Sequence, residues 1–368
     1  MAFGFFKKSD KKETSSTGGH YHQLRILKVI QETRDAVTLV FEQPAPALTY
    51  KPGQFLTLIA TVGGKEVRRA YSLSSSPFVD PHLAVTIKRV DKGLMSNWIP
   101  DNVKAGDTMK VMDAAGHFTT EFISGNKRHL VLFAGGSGIT PMMSIIKSAL
   151  IQEPESMASL IYCNRNADSI IFRDELARLE TNYEGRLQVI HVLDEAPMNW
   201  QGYSGLLNAE MLKKLFERMP DWGIDKTTYW MCGPEGMMKN VESLLGQLHI
   251  PADKILKESF VTPTLDKAAK PAGAGEATSH TITIRYDGQE YRLAVPPNRT
   301  ILETALDQGI DLPYSCQSGL CTACRGKALS GKVKLDEEEG LSASERAEGY
   351  VLTCVGHPLS DDVVIEIG

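Results

Sequence analysis

The chain has 368 residues, 42% hydrophobic and 23% charged, the make-up of a folded protein of two or three domains rather than a collagen-like or disordered one. A net charge of −5 argues against nucleic acid as the main partner, and no apolar run is long enough to predict a transmembrane segment. The charge is uneven: residues 279–368 hold 8 Lys/Arg against 14 Asp/Glu, so the acidity lies in the last quarter.

Residues 1–19 read as a disordered tail. Phe3, Phe5 and Phe6 stand before the lysines, the reverse of a secretory signal, and a weak membrane-surface anchor is the alternative. Residues 20–124 predict an antiparallel β-barrel. Strand-like runs at 20–30, 36–43, 54–62, 67–75, 83–90 and 107–114 are divided by Gly, Pro and Asp turn signals, with one short helix at 94–99. Residues 125–262 predict an α/β domain. Apolar strands at 129–135, 158–163, 187–193 and 228–233 alternate with helices at 140–151, 173–180, 209–219 and 235–248, the pattern of a parallel sheet wrapped by helices. Residues 263–279, rich in Ala, Pro, Gly and Lys, read as a flexible linker. Residues 280–368 predict a small α+β domain: a hairpin turning at Asp287-Gly288, a helix at 299–309 and a cysteine-bearing loop.

Three of the six cysteines fall within nine residues, which is not the spread of a secreted disulfide framework and points to a reducing, cytoplasmic setting. Cys316, Cys321 and Cys324 follow C-x4-C-x2-C, and 29 residues separate Cys324 from Cys354. That is the plant-type 2Fe-2S spacing. Small residues between the ligands (Ser315, Ser318, Gly319, Thr322, Ala323) suit a loop wrapped tightly around inorganic sulfide. Structural zinc is the alternative, and a single C-x2-C knuckle fits it poorly.

At the end of a barrel strand, Arg69-Ala70-Tyr71-Ser72 offers a cation for a pyrophosphate, an aromatic to cover a flavin ring and a hydroxyl for its reactive edge. Lys88 ends a later strand, and Gly93-Leu94-Met95-Ser96 opens the short helix as an anion site. Gly135-Gly136-Ser137-Gly138-Ile139-Thr140-Pro141 links a strand to a helix. Its glycines let backbone approach a pyrophosphate, Thr140 is placed to cap and Pro141 suits the first turn. The G-x-G-x-x-G fingerprint is absent. Cys232-Gly233-Pro234 follows another parallel strand, at the end where such sheets bind ligands. Burial as a small hydrophobe is the alternative for Cys232 and the plain reading of Cys163.

Together these motifs resemble, over residues 20–260, the ferredoxin–NADP reductase superfamily, and from 279 onward the plant-type 2Fe-2S ferredoxins, whose domain has the β-grasp fold. The order of parts is similar to oxygenase reductase components of the phenylacetyl-CoA epoxidase kind. The resemblance implies that Arg69, Tyr71, Ser72 and residues 93–96 hold FAD, that residues 135–141 hold the nicotinamide dinucleotide, and that Cys232 packs beside the nicotinamide. Glu258 would lie near the proton path and Phe260 against the flavin. Two departures stand out: residues 113–118 keep only Gly116 and Phe118 of the usual barrel-end pattern, and Phe260 replaces a tyrosine. Asn164-Arg165 after the second α/β strand, with Arg173, favours the 2′-phosphate of NADPH, and NADH is the alternative.

The expected activity is therefore electron transfer from NADPH through FAD to the cluster and on to an oxygenase component or another one-electron acceptor protein. A stand-alone flavin or ferric reductase, a non-enzymatic 2Fe-2S carrier or sensor, and an FMN enzyme of the phthalate type are the alternatives. His117, His191 and His249 read as surface or packed residues, and the acidic run 336–339 as a solvated loop.

Overall fold

A computed structural model describes residues 21–260, 279–338 and 340–368; the expected tail and residues 263–278 of the expected linker lie outside the described residues. The first sheet is built from β1 (Tyr21–Thr33), β2 (Ala36–Phe41), β3 (Phe55–Val62), β4 (Lys65–Ser72), β5 (Leu83–Lys88) and β6 (Thr108–Met112), with α1 (Leu94–Asn102) between the last two. In β1, Leu24 and Ile26 turn inward while Gln23 and Arg25 stay outside, the period-2 pattern of a half-buried strand. Strand order is β4-β3-β6-β1-β2-β5, with antiparallel pairings, and a bridge between Leu73 and Val85 joins the two ends. The sheet thus curls around a core that includes Leu39, Leu56, Leu58 and Val111. Helix α1 runs three residues past the predicted stretch and closes with the Val103 N–H on the Ile99 carbonyl; Met95 and Ile99 anchor it in the core.

The second sheet follows β7 (His129–Gly135), α2 (Ile139–Gln152), β8 (Met157–Asn164), α3 (Arg173–Asn182), β9 (Leu187–Leu193), β10 (Tyr203–Ser204), α4 (Ala209–Phe216), β11 (Thr227–Cys232), α5 (Glu235–Gln247) and β12 (Ile255–Glu258). Its strands are parallel in the order β10-β9-β8-β7-β11-β12. One face packs on α2 and α3, the other on α4 and α5. Every residue of β7 is buried, as expected for a strand covered on both faces. The chain leaves β7 toward β8 and later returns on its other side as β11, so the switch point lies at the ends of these two strands.

Helix α2 also joins this sheet to the barrel. The Ser144 hydroxyl donates to the Ser75 carbonyl at 2.6 Å, Ser148 meets Ser76 at 2.8 Å, and Lys147 Nζ lies 2.7 Å from Asp80. Beside this joint Arg128 grips the fully buried Glu153 with two contacts, Nη2 at 2.7 Å and Nε at 3.0 Å.

The third unit contains β13 (His280–Tyr286), β14 (Gln289–Val295), α6 (Ile301–Asp307), β15 (Arg325–Ser330), β16 (Val333–Leu335), α7 (Ala343–Ala347), β17 (Tyr350–Leu352), β18 (Gly356–Pro358) and β19 (Val364–Ile367). A mixed sheet, β14-β13-β19-β15-β17, has β13 and β19 parallel and its other pairs antiparallel. It holds α6 through Ile301, Leu302 and Ala305, the β-grasp arrangement. Thr300 and Glu303 form a reciprocal capping box that starts α6. Among the described residues no helix is long and apolar enough to cross a membrane.

Candidate functional site

Two glycine-bearing turns meet at the switch point. A Cβ on Gly138 would stand 1.9 Å from the Cys232 carbonyl oxygen, and one on Gly135 would stand 2.4 Å from Pro234 Cδ. These two glycines therefore serve turn-on-turn packing, a role not read from the sequence. Gly136 differs: its φ is +53°, and the nearest atom a Cβ there would meet is Lys88 Nζ at 3.5 Å. An open, left-handed backbone beside an ammonium is the feature of this turn that suits a phosphate. Tyr162, fully buried in β8, donates its hydroxyl to the Gly136 carbonyl at 3.0 Å and fixes the turn. Sequence reasoning missed it, since a tyrosine inside an apolar strand carries no signal of what its hydroxyl touches.

One expectation is corrected here. Thr140 does not cap α2: the cap position is Gly138, and the Thr140 hydroxyl donates to the Ser137 carbonyl at 3.1 Å. The helix begins one residue earlier than predicted because a short 3-10 turn over 136–138 leads straight into it. Ile139 and Pro141 lie buried within the first turn.

Ser72, at the end of β4, is 2% exposed and donates to Glu258 Oε2 at 3.1 Å across the joint between the two sheets. Glu258 ends β12 and pairs directly with Cys232 on β11, so the three residues converge although they come from three strands. Burial pushes the Glu258 carboxyl up to about 8, its bond from Ser72 opposing the shift. Cys232 is fully buried and its thiol is held well above the ordinary value, first by burial and then by Glu258, so it is a neutral thiol at physiological pH.

Arg69 and Tyr71 alternate with Ser72 along β4, and Ala70 lies between them. The Arg69 guanidinium donates to the Arg68 carbonyl at 2.7 Å, and burial raises the Tyr71 phenol. A partly exposed arginine and a closely packed tyrosine beside a serine–carboxylic acid pair fit a flavin's phosphate and ring. At α1, Gly93 is the cap and no side chain caps the helix start; the Ser96 hydroxyl turns back to accept the Val90 N–H at 3.3 Å. A Cβ on Gly93 would lie 2.3 Å from that hydroxyl. Leu94 is 49% exposed while Met95 is buried. Phe260 is exposed, two residues beyond the end of β12.

Asn164, at the end of β8, is buried and neither polar atom of its amide finds a hydrogen-bond partner. An orphaned amide at the carboxyl end of a parallel strand fits a ligand-binding position. Arg165 and Arg173 are both exposed. Asp194, whose carboxyl is raised by burial and by Glu195 and lowered by Arg165, lies just beyond β9 and was not singled out in the sequence.

The four cysteines Cys316, Cys321, Cys324 and Cys354 are brought together. The side chains of Cys321 and Cys354 lie close enough to interact with Cys316, and Cys354 reaches Cys324 as well. Cys324 and Cys354 are buried, and Cys316 and Cys321 are partly exposed. The Cys316 N–H donates to Cys321 Sγ at 3.3 Å and the Ser318 N–H to Cys316 Sγ at 3.4 Å. Gln317, Gly319 and Thr322 all have positive φ, which coils the loop tightly enough to aim these N–H groups inward. The hydroxyls of Ser315 and Ser318 are buried without a partner. Among the described residues no three His, Cys, Asp or Glu side chains are arranged to hold a single metal ion, so what speaks for a cluster is the thiol set and the loop around it. Donors turned toward sulfur and orphaned hydroxyls fit an iron–sulfur unit.

The histidines behave as expected of packed or surface residues: His249 is exposed and His191 sits beside Tyr162 and Trp200. In the acidic run, Asp336 accepts from His357 at 2.9 Å and Glu338 pairs with Arg346 at 3.0 Å.

Family comparison agrees with this division of labour. Residues 23–120 match the oxidoreductase FAD-binding domain, 132–243 the oxidoreductase NAD-binding domain, and 284–359 the 2Fe-2S iron-sulfur cluster binding domain. The chain is 36% identical to a 1,2-phenylacetyl-CoA epoxidase subunit of Escherichia coli (strain K12), over 94% of this chain and 97% of that one. It is 35% identical to the 3-ketosteroid-9-alpha-monooxygenase ferredoxin reductase component of Rhodococcus rhodochrous, over 93% and 96%. Among solved structures it resembles phthalate dioxygenase reductase with a TM-score of 0.57 at 23% identity, covering 94% of this chain and 98% of that one, a likeness of fold. Fold and matched families define a nicotinamide-dependent flavoprotein oxidoreductase that uses FAD and a 2Fe-2S cluster. The chain belongs to the ferredoxin–NADP reductase-like family that carries a C-terminal 2Fe-2S ferredoxin domain.

Proposed function

We propose that this chain is the reductase component of a multicomponent oxygenase, taking electrons from NADPH and delivering them singly to an oxygenase of the kind its relatives' names describe. FAD supplies the exchange between a two-electron hydride and single electrons, and the cluster passes those electrons one at a time. The observation that carries the reading is the meeting of Ser72, Glu258 and Cys232 at the switch point, where a nicotinamide and a flavin edge would face each other.

In this reading Arg69 and the start of α1 at residues 93–96 would hold the FAD phosphates, through the N–H groups of residues 94–96 because that of Gly93 donates to the Val90 carbonyl at 3.0 Å, while Tyr71 and Phe260 would pack on its ring. The Ser72 hydroxyl, bonded to Glu258, would lie at the flavin's reactive edge, and Glu258 would keep a proton within reach up to about pH 8. The neutral Cys232 thiol, with Gly233 and Pro234, walls the nicotinamide pocket and excludes water. Residues 135–141, with Lys88 near Gly136, receive the dinucleotide phosphates. Asn164 would meet the ribose, and the exposed Arg165 and Arg173 would accept a 2′-phosphate. Cys316, Cys321, Cys324 and Cys354 hold the cluster. The division into a barrel over 20–124, an α/β unit over 125–262 and a ferredoxin unit from 280 lets one polypeptide carry all three steps. Clustered thiolate ligands without disulfides suit a cytoplasmic enzyme.

Reconstitution tests this. With a purified oxygenase component, NADPH-driven product formation should require this chain. NADPH-driven ferric reduction that never couples to any such oxygenase would leave the stand-alone reductase in its place. A ratio of kcat/KM for NADPH over NADH well above one, lost in Arg165→Ala, supports the 2′-phosphate assignment, and a ratio below one reverses it.

A further inference from the structure

Arg68 stands next to the motif arginine but on the other side of β4, and it is 6% exposed. Its Nε donates to Glu66 at 2.9 Å and its Nη1 to the Tyr21 hydroxyl at 3.1 Å, both within the barrel. Its Nη2 donates to Asp311 at 3.0 Å, and its guanidinium carbon lies 4.3 Å from the centre of the Tyr314 ring, both in the ferredoxin unit. The Tyr21 hydroxyl donates to the other Asp311 oxygen at 2.7 Å, and Lys110 Nζ sits 4.4 Å from the centre of the Tyr21 ring. Asp311 and Tyr314 lead directly into the first cluster cysteine, Cys316. On the far side of the loop, Arg325 follows Cys324, pairs with Glu345 at 2.7 Å, and with Glu345 acts electrostatically on His117 of the barrel. The barrel therefore contacts the loop at its Asp311–Tyr314 end and lies within electrostatic range of it at the Arg325 end.

Arg68 is the shared element of this contact. A guanidinium presents its donors in a fixed planar fork and stacks flat on an aromatic face, a geometry that the round lysine ammonium does not reproduce. Ser72, on the same face of the strand as Arg68, is four positions further along, about 13 Å at the rise of a β-strand, so a loop seated on Arg68 is seated one short strand length from the serine of the flavin motif. Glu66 lies on the same strand and accepts from Arg68 within the barrel, so releasing Asp311 would still leave the guanidinium one carboxylate partner. Opening the contact would then not strand a buried, unpaired charge, the costly outcome for an ion pair that loses one partner.

We propose that Arg68 is a positioning residue for internal electron transfer, seating the loop of Cys316, Cys321 and Cys324 on the flavin barrel through Asp311 and Tyr314. This rests on the electron route proposed above. The test compares wild type, Arg68→Ala, Asp311→Ala and the double variant, all loaded with FAD and cluster. Stopped-flow absorbance follows flavin and cluster reduction separately after mixing with NADPH, and small-angle X-ray scattering reads the docked shape without turnover. Either single variant should slow cluster reduction by about tenfold or more, the loss expected when one partner of a hydrogen-bonded charge pair is truncated. Flavin reduction should be unchanged, the scattering profile should expand, and the double variant should be no worse than the singles. Asp311 is half exposed, so its variant keeps the test open if Arg68→Ala folds badly. Cluster reduction at the wild-type rate with an unchanged profile in Asp311→Ala overturns the assignment of Arg68. A wild-type cluster that NADPH does not reduce at all overturns the electron route itself.

Discussion

Glu258 shows how much one side chain's setting decides. A carboxyl whose folded value is raised to about 8 binds a proton that the unfolded chain has lost above about pH 4.5. Folding stability therefore falls as pH rises between those values and levels off beyond about 8. Thermal unfolding of flavin-free wild type and Glu258→Gln should show the glutamine variant gaining steadily on wild type from pH 5 to 8. A difference that does not change with pH would show that the carboxyl is not held protonated. At the cluster, serine in place of any of the four cysteines should abolish cluster absorbance while leaving nicotinamide-driven flavin bleaching intact; retention of a full cluster in Cys354→Ser would remove that residue from the ligand set. Gly138 carries a steric prediction. Gly138→Ala brings a methyl against the Cys232 carbonyl and forces the two turns apart, so nicotinamide affinity should drop while the cluster spectrum stays as it was.

Among the elements, α2 does the most to assemble the site. Its apolar face fills the sheet core, while Ser144, Lys147 and Ser148 bind the segment that follows the Arg69–Ser72 strand. The adjoining Arg128–Glu153 pair is a buried ion pair with two-point contact, and removing one partner strands the other charge. Glu153→Ala should therefore cost about 3–5 kcal/mol, read as a lower denaturation midpoint of the barrel and α/β units together; a cost under about 1 kcal/mol, the range of surface pairs, would contradict the burial argument. The long, strongly patterned elements were legible in the sequence: the barrel strands, the four α/β strands β7, β8, β9 and β11, and helices such as α2 and α5. The short ones were not. Four-residue β12 carries no alternation to read, yet it delivers Glu258, and β15 to β19 are three to six residues each. Their pairing depends on partners far along the chain, which local pattern does not encode. Similarly, the motif glycines were visible as motifs, whereas which of them faces a ligand and which packs against Cys232 and Pro234 depends on a contact across about 100 positions.

At the scale of the whole molecule, charge and connection matter more than any one contact. The acidity concentrated after residue 279 favours docking on a basic partner surface, an attraction that salt screens over a Debye length of about 10 Å at 0.1 M. Turnover with an oxygenase partner should thus show a partner KM that rises by about tenfold or more between low and high salt, while NADPH-driven flavin reduction barely moves; salt-independent partner KM would point to an apolar docking face instead. The motifs named the cofactors and their order, but the seat of the ferredoxin unit was invisible. Arg68 and Asp311 are 243 positions apart and neither belongs to a motif. One route, nicotinamide to flavin to cluster, underlies every role assigned to these residues. It is read most directly by an anaerobic absorbance titration of the purified protein with NADPH, followed by acid release and chromatography of the flavin. Flavin and cluster bands should bleach together, with FAD released. A flavin that bleaches over an unchanged cluster, or no bound flavin at all, would contradict the route.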